Sequence, residues 1–89
     1  MNDTFRVMDK VSWKELDGLI VVVDTESGAY YSLNKTASEM WKELVDGKAK
    51  EAVVKILEEK YNVPGTELQN DLDGCIAEWR KQNLIIEKT

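Results

Sequence analysis

The run Leu19-Ile20-Val21-Val22-Val23 is apolar at every position and β-branched at four of them, and turn residues bracket it on both sides. Asp17-Gly18 precedes it and Asp24-Thr25-Glu26-Ser27-Gly28 follows. So short an apolar run, bounded in this way, fits a strand better than a helix. The Asp-Gly pair favours positive φ at both central residues of a type I′ turn, whose twist suits a hairpin. Val11 to Leu16 therefore reads as the strand entering that hairpin. Ala29-Tyr30-Tyr31-Ser32-Leu33 reads as the strand leaving the second connection, with Gly28 at the left-handed position that closes it. In this third strand Ala29, Tyr31 and Leu33 share one face, and Tyr30 and Ser32 the other. Apolar character on both faces makes residues 19–23 the expected central strand. The product is a three-stranded antiparallel meander.

After Leu33 the apolar period lengthens to that of a helix. Ala37, Met40, Trp41 and Leu44 fall at i, i+3, i+4 and i+7, and Gly47 ends the segment. Asn34 or Thr36 is the expected cap, and Thr36 with Glu39 would form a capping box. A second helix carries Ala49, Ala52, Val53, Ile56, Leu57 and Tyr61 on one stripe, and Val63-Pro64-Gly65 breaks the chain after it. A third, opened by Thr66 and capped with Gln69, turns Leu68, Leu72, Cys75, Ile76 and Trp79 inward, and Asn83 closes it. Leu84-Ile85-Ile86 is a short apolar tail expected to pack back onto the sheet or the helices. The fold class is α+β: a β-β-β-α-α-α order, with a helical half resembling a winged helix.

At 89 residues the chain has room for one domain, 1–89, with residues 1–10 expected to be a flexible N-terminus. It contains no histidine and one cysteine, Cys75. That removes the commonest general base and metal ligand, and with them the Ser-His-Asp and Cys-His nucleophile systems. A lone cysteine on an apolar helix stripe packs as a small hydrophobe. Neither a cofactor nor a metal is expected. A net charge of −5 argues against affinity for nucleic acid or anionic lipid. With no apolar run long enough to span a bilayer or serve as a signal peptide, a cytoplasmic, membrane-free protein is expected.

Three features are candidate sites. The helix 2–turn–helix 3 spacing invites a DNA-binding reading, but Glu67, Asp71, Asp73 and Glu78 precede the first basic residues of that helix, Arg80 and Lys81. Those carboxylates stand where phosphate would need neutralising. The same carboxylates, with Glu58 and Glu59, could be a general acid and base only inside a desolvating pocket, and nothing in the sequence marks one. The third feature is the last strand of the meander. It lies at an edge, and residues 29–33 carry none of the Lys, Pro or bulge signals that usually guard an edge. Such an edge can accept an extended peptide as a fourth strand. It can equally be covered by the C-terminal tail or by a second copy of the chain, and on strand logic alone both readings stay open.

The ordered set Tyr30-Tyr31-Ser32-Leu33-Asn34-Lys35-Thr36-Ala37, Met40-Trp41 and Asp46-Gly47 resembles the PqqD family. Tyr61, Asp71-Leu72, Ile76, Trp79 and Asn83-Leu84-Ile85 continue the resemblance, which covers about residues 11–86. It implies a non-catalytic recognition element that binds the leader of a ribosomally made precursor peptide. The leader would be presented to a modifying enzyme, often a radical SAM protein. It further implies that the leader adds antiparallel to the third strand, in a groove against the third helix. Carried onto this sequence, the groove is edged by Ala29, Tyr30, Tyr31, Ser32 and Leu33, with Asp71, Cys75, Glu78 and Trp79 on its other wall. The family often has a bulkier apolar residue where Cys75 stands, which implies a roomier wall here. A monomer or weak homodimer is expected. The rival readings are a winged-helix DNA binder and a structural dimerisation module.

Overall fold

A computed structural model describes residues 4–88. Its elements in chain order are β1 (Phe5–Val7), β2 (Val11–Leu16), β3 (Leu19–Asp24), β4 (Tyr30–Ser32), α1 (Lys35–Val45), α2 (Lys50–Tyr61), α3 (Gly65–Lys81) and β5 (Ile85–Glu87). The meander forms in the order β2-β3-β4, all antiparallel, with Val22 between Trp13 and Tyr31. Asp17 and Gly18 take φ of 54° and 82°, as the first turn requires, and the pairing runs on to Leu16 opposite Leu19. Asp24 organises the second connection. One of its carboxylate oxygens accepts the N–H groups of Glu26 at 2.9 Å and Ser27 at 3.2 Å, and the other accepts Lys10 Nζ at 2.9 Å. The Lys10 ammonium, aided by these turn amides, holds the Asp24 carboxyl below its ordinary pKa.

One face of the meander packs on the helices. Ile20, Val22, Trp41, Val53 and Leu72 are fully buried there, with Met40, Leu44, Leu57, Leu68 and Trp79 around them. Trp41 stands edge-on to two other indoles, with ring centroids 6.3 Å from Trp13 and 5.2 Å from Trp79. These perpendicular contacts add to the area the rings bury. The other face was expected to be as apolar as the first, and β3 supplies Leu19, Val21 and Val23 to it. Among the described residues no element covers them: Leu19 is 42% exposed, and Val21 and Val23 are half-buried.

Of the expected helix starts, the Asn34 cap of α1 forms, and the Thr36–Glu39 box and the α3 cap do not. Asn34 is the cap of α1, its side-chain oxygen accepting the Ala37 N–H at 2.8 Å, so Thr36 lies inside the first turn and no Thr36–Glu39 box forms. Glu39 is instead buried and drawn to Lys60 at 2.8 Å and Lys42 at 3.4 Å. Helix α3 starts at Gly65 behind Pro64 with no side-chain cap, so Thr66 and Gln69 do not cap it, and Gln69 donates to Asp73 at 3.2 Å. Ala52, expected on the inward stripe of α2, faces out. The α3 terminus is as read: Asn83 adopts a left-handed φ of 61°, and the Leu84 N–H bonds back to the Trp79 carbonyl at 2.9 Å.

The tail has a partner that was not foreseen. Ile85–Glu87 pairs antiparallel with Phe5–Val7, within the segment expected to be a flexible N-terminus; residues 1–3 of that segment lie outside the described residues. Phe5 and Ile85, 5% and 4% exposed, drive the pairing by burying against the core. The fold is α+β, a meander followed by three helices of winged-helix type and tied off by a second, two-stranded sheet.

Candidate functional site

Strand β4 is an edge, and its hydrogen-bonding phase is fixed by two bonds that flank it. The Asp24 N–H donates to the Ala29 carbonyl at 2.8 Å, and the Leu33 N–H to the Ile20 carbonyl at 2.9 Å. Hydrogen-bonded and non-hydrogen-bonded pairs alternate in an antiparallel ladder. With Val22 opposite Tyr31, that pair falls in the bonded phase, and Val21–Ser32 and Val23–Tyr30 in the other. The main-chain N–H and C=O of Tyr30 and Ser32 therefore point away from β3, out of the sheet.

Beyond Tyr31 the ladder is completed by a side chain. The Ser38 hydroxyl accepts the Ile20 N–H at 2.8 Å and donates to the Leu33 carbonyl at 3.2 Å. It replaces the second bond of the Ile20–Leu33 pair and ties α1 to the end of β4. Tyr31 and Leu33 face the helices, half-buried and buried, while Tyr30 is 71% exposed on the opposite face beside exposed Ser32. The Ala29 N–H is taken by the Ser27 hydroxyl at 3.2 Å.

A concave surface lies just past the C-terminal end of β4, starting at Asn34. A cavity of about 300 Å³ lies between the start of α1 and α3, lined by Asn34, Thr36, Ala37, Met40, Asp71 and Cys75. A second, of about 330 Å³, shares Thr36 and Asp71 with it and adds Tyr61, Val63, Glu67 and Leu68. Together they form one groove along α3. Asp71 and Cys75 line this groove opposite the start of α1, and residues 29–33, expected as its other edge, are not among its lining residues. Glu78 lies on the exposed side of α3, where Gln82 donates to it at 2.9 Å. Trp79 is 4% exposed against Trp41, behind the wall and not on its surface.

The contribution of α1 was missed. Asn34, Thr36, Ala37 and Met40 form the wall facing Asp71 and Cys75, although Ala37 and Met40 read in sequence as ordinary inward residues. The available signal was Thr36, a polar residue one turn before Met40. The groove has an apolar floor and acidic rims at Glu67 and Asp71, with no Lys or Arg among its lining residues. Burial, and then the Asp71 carboxylate, push the Cys75 thiol above its ordinary pKa, which disfavours the thiolate. Among the described residues no three His, Cys, Asp or Glu side chains gather as a metal site, and no helix is long and apolar enough to cross a membrane. The exposed α3 side chains Glu67, Asp71 and Glu78 make an acidic stripe where a DNA reader would need a basic one, while Asp73, on another side of the helix, pairs with Lys50 at 2.9 Å.

The main-chain groups of Tyr30 and Ser32 form an open sheet edge, of the kind that can accept an extended peptide, on a meander followed by three helices. The chain belongs to the family of coenzyme PQQ synthesis protein D (PqqD), which it matches over residues 20–85. No curated protein matches it. Among solved structures it is similar to TbiB1 in complex with the TbiA(beta) leader peptide, at 23% identity and a TM-score of 0.87, over 94% of this chain and 98% of that one. It is also similar to a lasso peptide synthetase B1 complexed with the leader peptide, at 27% identity and a TM-score of 0.85, over 92% of this chain and 96% of the other.

Proposed function

We propose that this protein binds the leader segment of a ribosomally made precursor peptide and presents it to a modifying enzyme, performing no reaction itself. The leader adds antiparallel to β4. The observation that carries this reading is the outward phase of Tyr30 and Ser32, which leaves two N–H donors and two C=O acceptors on an edge without Lys, Pro or bulge. Such groups supply affinity that does not depend on sequence, and pockets beside them supply selectivity. The groove along α3 offers such pockets, with Asp71 and Cys75 on one wall and Thr36 and Met40 on the other. Both similar solved structures are complexes with leader peptides, and the family is shared, which supports the same class of ligand here.

The site residues on this reading are Ala29, Tyr30, Tyr31, Ser32 and Leu33, with Asp71, Cys75 and Glu78 along α3 and Trp79 supporting them from behind. The modifying enzyme is a radical SAM protein or another peptide maturase, and the setting is cytoplasmic. A nuclear magnetic resonance titration with the leader of the cognate precursor tests it. Amide shifts should concentrate on residues 29–33, the start of α1 and α3. Shifts confined to β1 and β5, or none, would refute the assignment.

A further inference from the structure

The groove along α3 lies on only one side of the sheet, and the phase of β4 sends part of any added strand to the other. Directly opposed residues of an antiparallel pair carry their side chains on the same face. An added strand can exchange main-chain bonds only with Tyr30 and Ser32, so the two peptide residues opposite them share the face of those side chains. That is the outer face, away from the helices. Only the residue between them, opposite Tyr31, turns toward the helices.

The outer face carries an apolar strip, Val21 and Val23 with Tyr30, Leu16 and Leu19, between polar residues. Its cross-strand rows are Ser12–Val23–Tyr30 and Lys14–Val21–Ser32, with Leu16 opposite Leu19 at the hairpin end. Tyr30 is 71% and Leu16 51% exposed, and Val21 and Val23 line a shallow cavity of about 220 Å³ on β2 and β3. A strand paired to β4 would continue the Val23–Tyr30 row with one more side chain, packed on a ring that is otherwise in solvent. Patches of this kind mark interaction surfaces.

Resting on the strand-addition reading, we propose that the outer sheet face is a second specificity surface, on which Tyr30, backed by Val23, selects an apolar or aromatic peptide side chain. The occupant is the added strand itself, because its main-chain bonds and the outer row meet at the same residue, Tyr30. Recognition is then two-sided: one set of alternating peptide side chains is read by the groove, and the interleaved set by the outer face.

A displayed library of random peptides, selected on the wild-type protein and on Tyr30→Thr, tests this. Threonine keeps the strand preference, and the position is exposed, so the variant should unfold at the wild-type midpoint. Wild type should enrich peptides with two interleaved sets of preferred side chains. Tyr30→Thr should erase one set, spare the other, and weaken the selected peptides by about tenfold, the loss expected from uncovering one partly buried aromatic. Equal affinity and unchanged preferences in the variant would overturn the outer-face proposal and leave strand addition standing. Enrichment of no peptide by wild type would overturn both.

Discussion

The Ser38 hydroxyl accepts a hydrogen bond from the Ile20 N–H at 2.8 Å and donates one to the Leu33 carbonyl at 3.2 Å, so one buried side chain stands in for a rung of the β3–β4 ladder. Ser38 is 0% exposed. Ser38→Ala should leave two buried main-chain groups unpaired and cost about 1–3 kcal/mol. Urea unfolding measures the loss. Because Leu33 ends the proposed binding strand, leader affinity should fall as well, under conditions where the variant is still fully folded.

The three indoles predict the hardest loss. Trp79 is 4% exposed and packs edge-on to Trp41. Trp79→Ala should cost about 3–5 kcal/mol, the range for emptying a buried aromatic site. In so small a domain that approaches the whole of its stability, so thermal unfolding should begin near room temperature.

Acid should destabilise the fold through its lysine-paired carboxylates, Glu39 and Asp24 among them. Lys60, and then Lys42, hold Glu39 below its ordinary pKa, and Lys10 does the same for Asp24. A carboxyl whose pKa is lower folded than unfolded contributes stability above its unfolded value, and that contribution disappears as pH falls through the folded one. Stability should therefore be level from neutrality to about pH 5 and decline below it. Glu39→Gln should flatten that decline in urea titrations run across the acid range.

Cys75 reports on the groove. Its thiol pKa is raised by burial and by Asp71, so a disulfide reagent should modify it more slowly than free cysteine near neutral pH. Asp71→Asn should speed the reaction modestly, since burial is the larger cause. Bound leader should slow it further, which places the peptide in the cavity that Cys75 lines.

How far these features were legible depended on how local their causes are. Asp17-Gly18 sets its hairpin through φ preferences of two adjacent residues, and the helix stripes repeat often enough to be counted. The pairing of Phe5–Val7 with Ile85–Glu87 has neither property: each strand is 3 residues long and the partners sit at opposite ends of the chain. The cap of α1 fell to Asn34 and not Thr36 because strand pairing runs up to Leu33 and Asn34 is the last extended residue before the helix begins at Lys35. Apolar residues 19–23 marked β3 as central but could not show that one of its faces stays open. Whether Ser32 turned its N–H inward or outward was undecidable until the register was known. The wall built by Asn34, Thr36, Ala37 and Met40 depends on how α1 meets α3, a tertiary fact with no signature in spacing.

The central claim is that a leader strand bonds to the outward groups of β4. Amide hydrogen exchange, measured residue by residue with and without the cognate leader, tests it most directly. Tyr30 and Ser32 N–H groups should exchange rapidly in the free protein and become strongly protected on binding. Tyr31, already bonded to β3, should change little. Protection of Tyr31 alone, or leader binding that leaves Tyr30 and Ser32 exchanging at their free rates, would contradict the account.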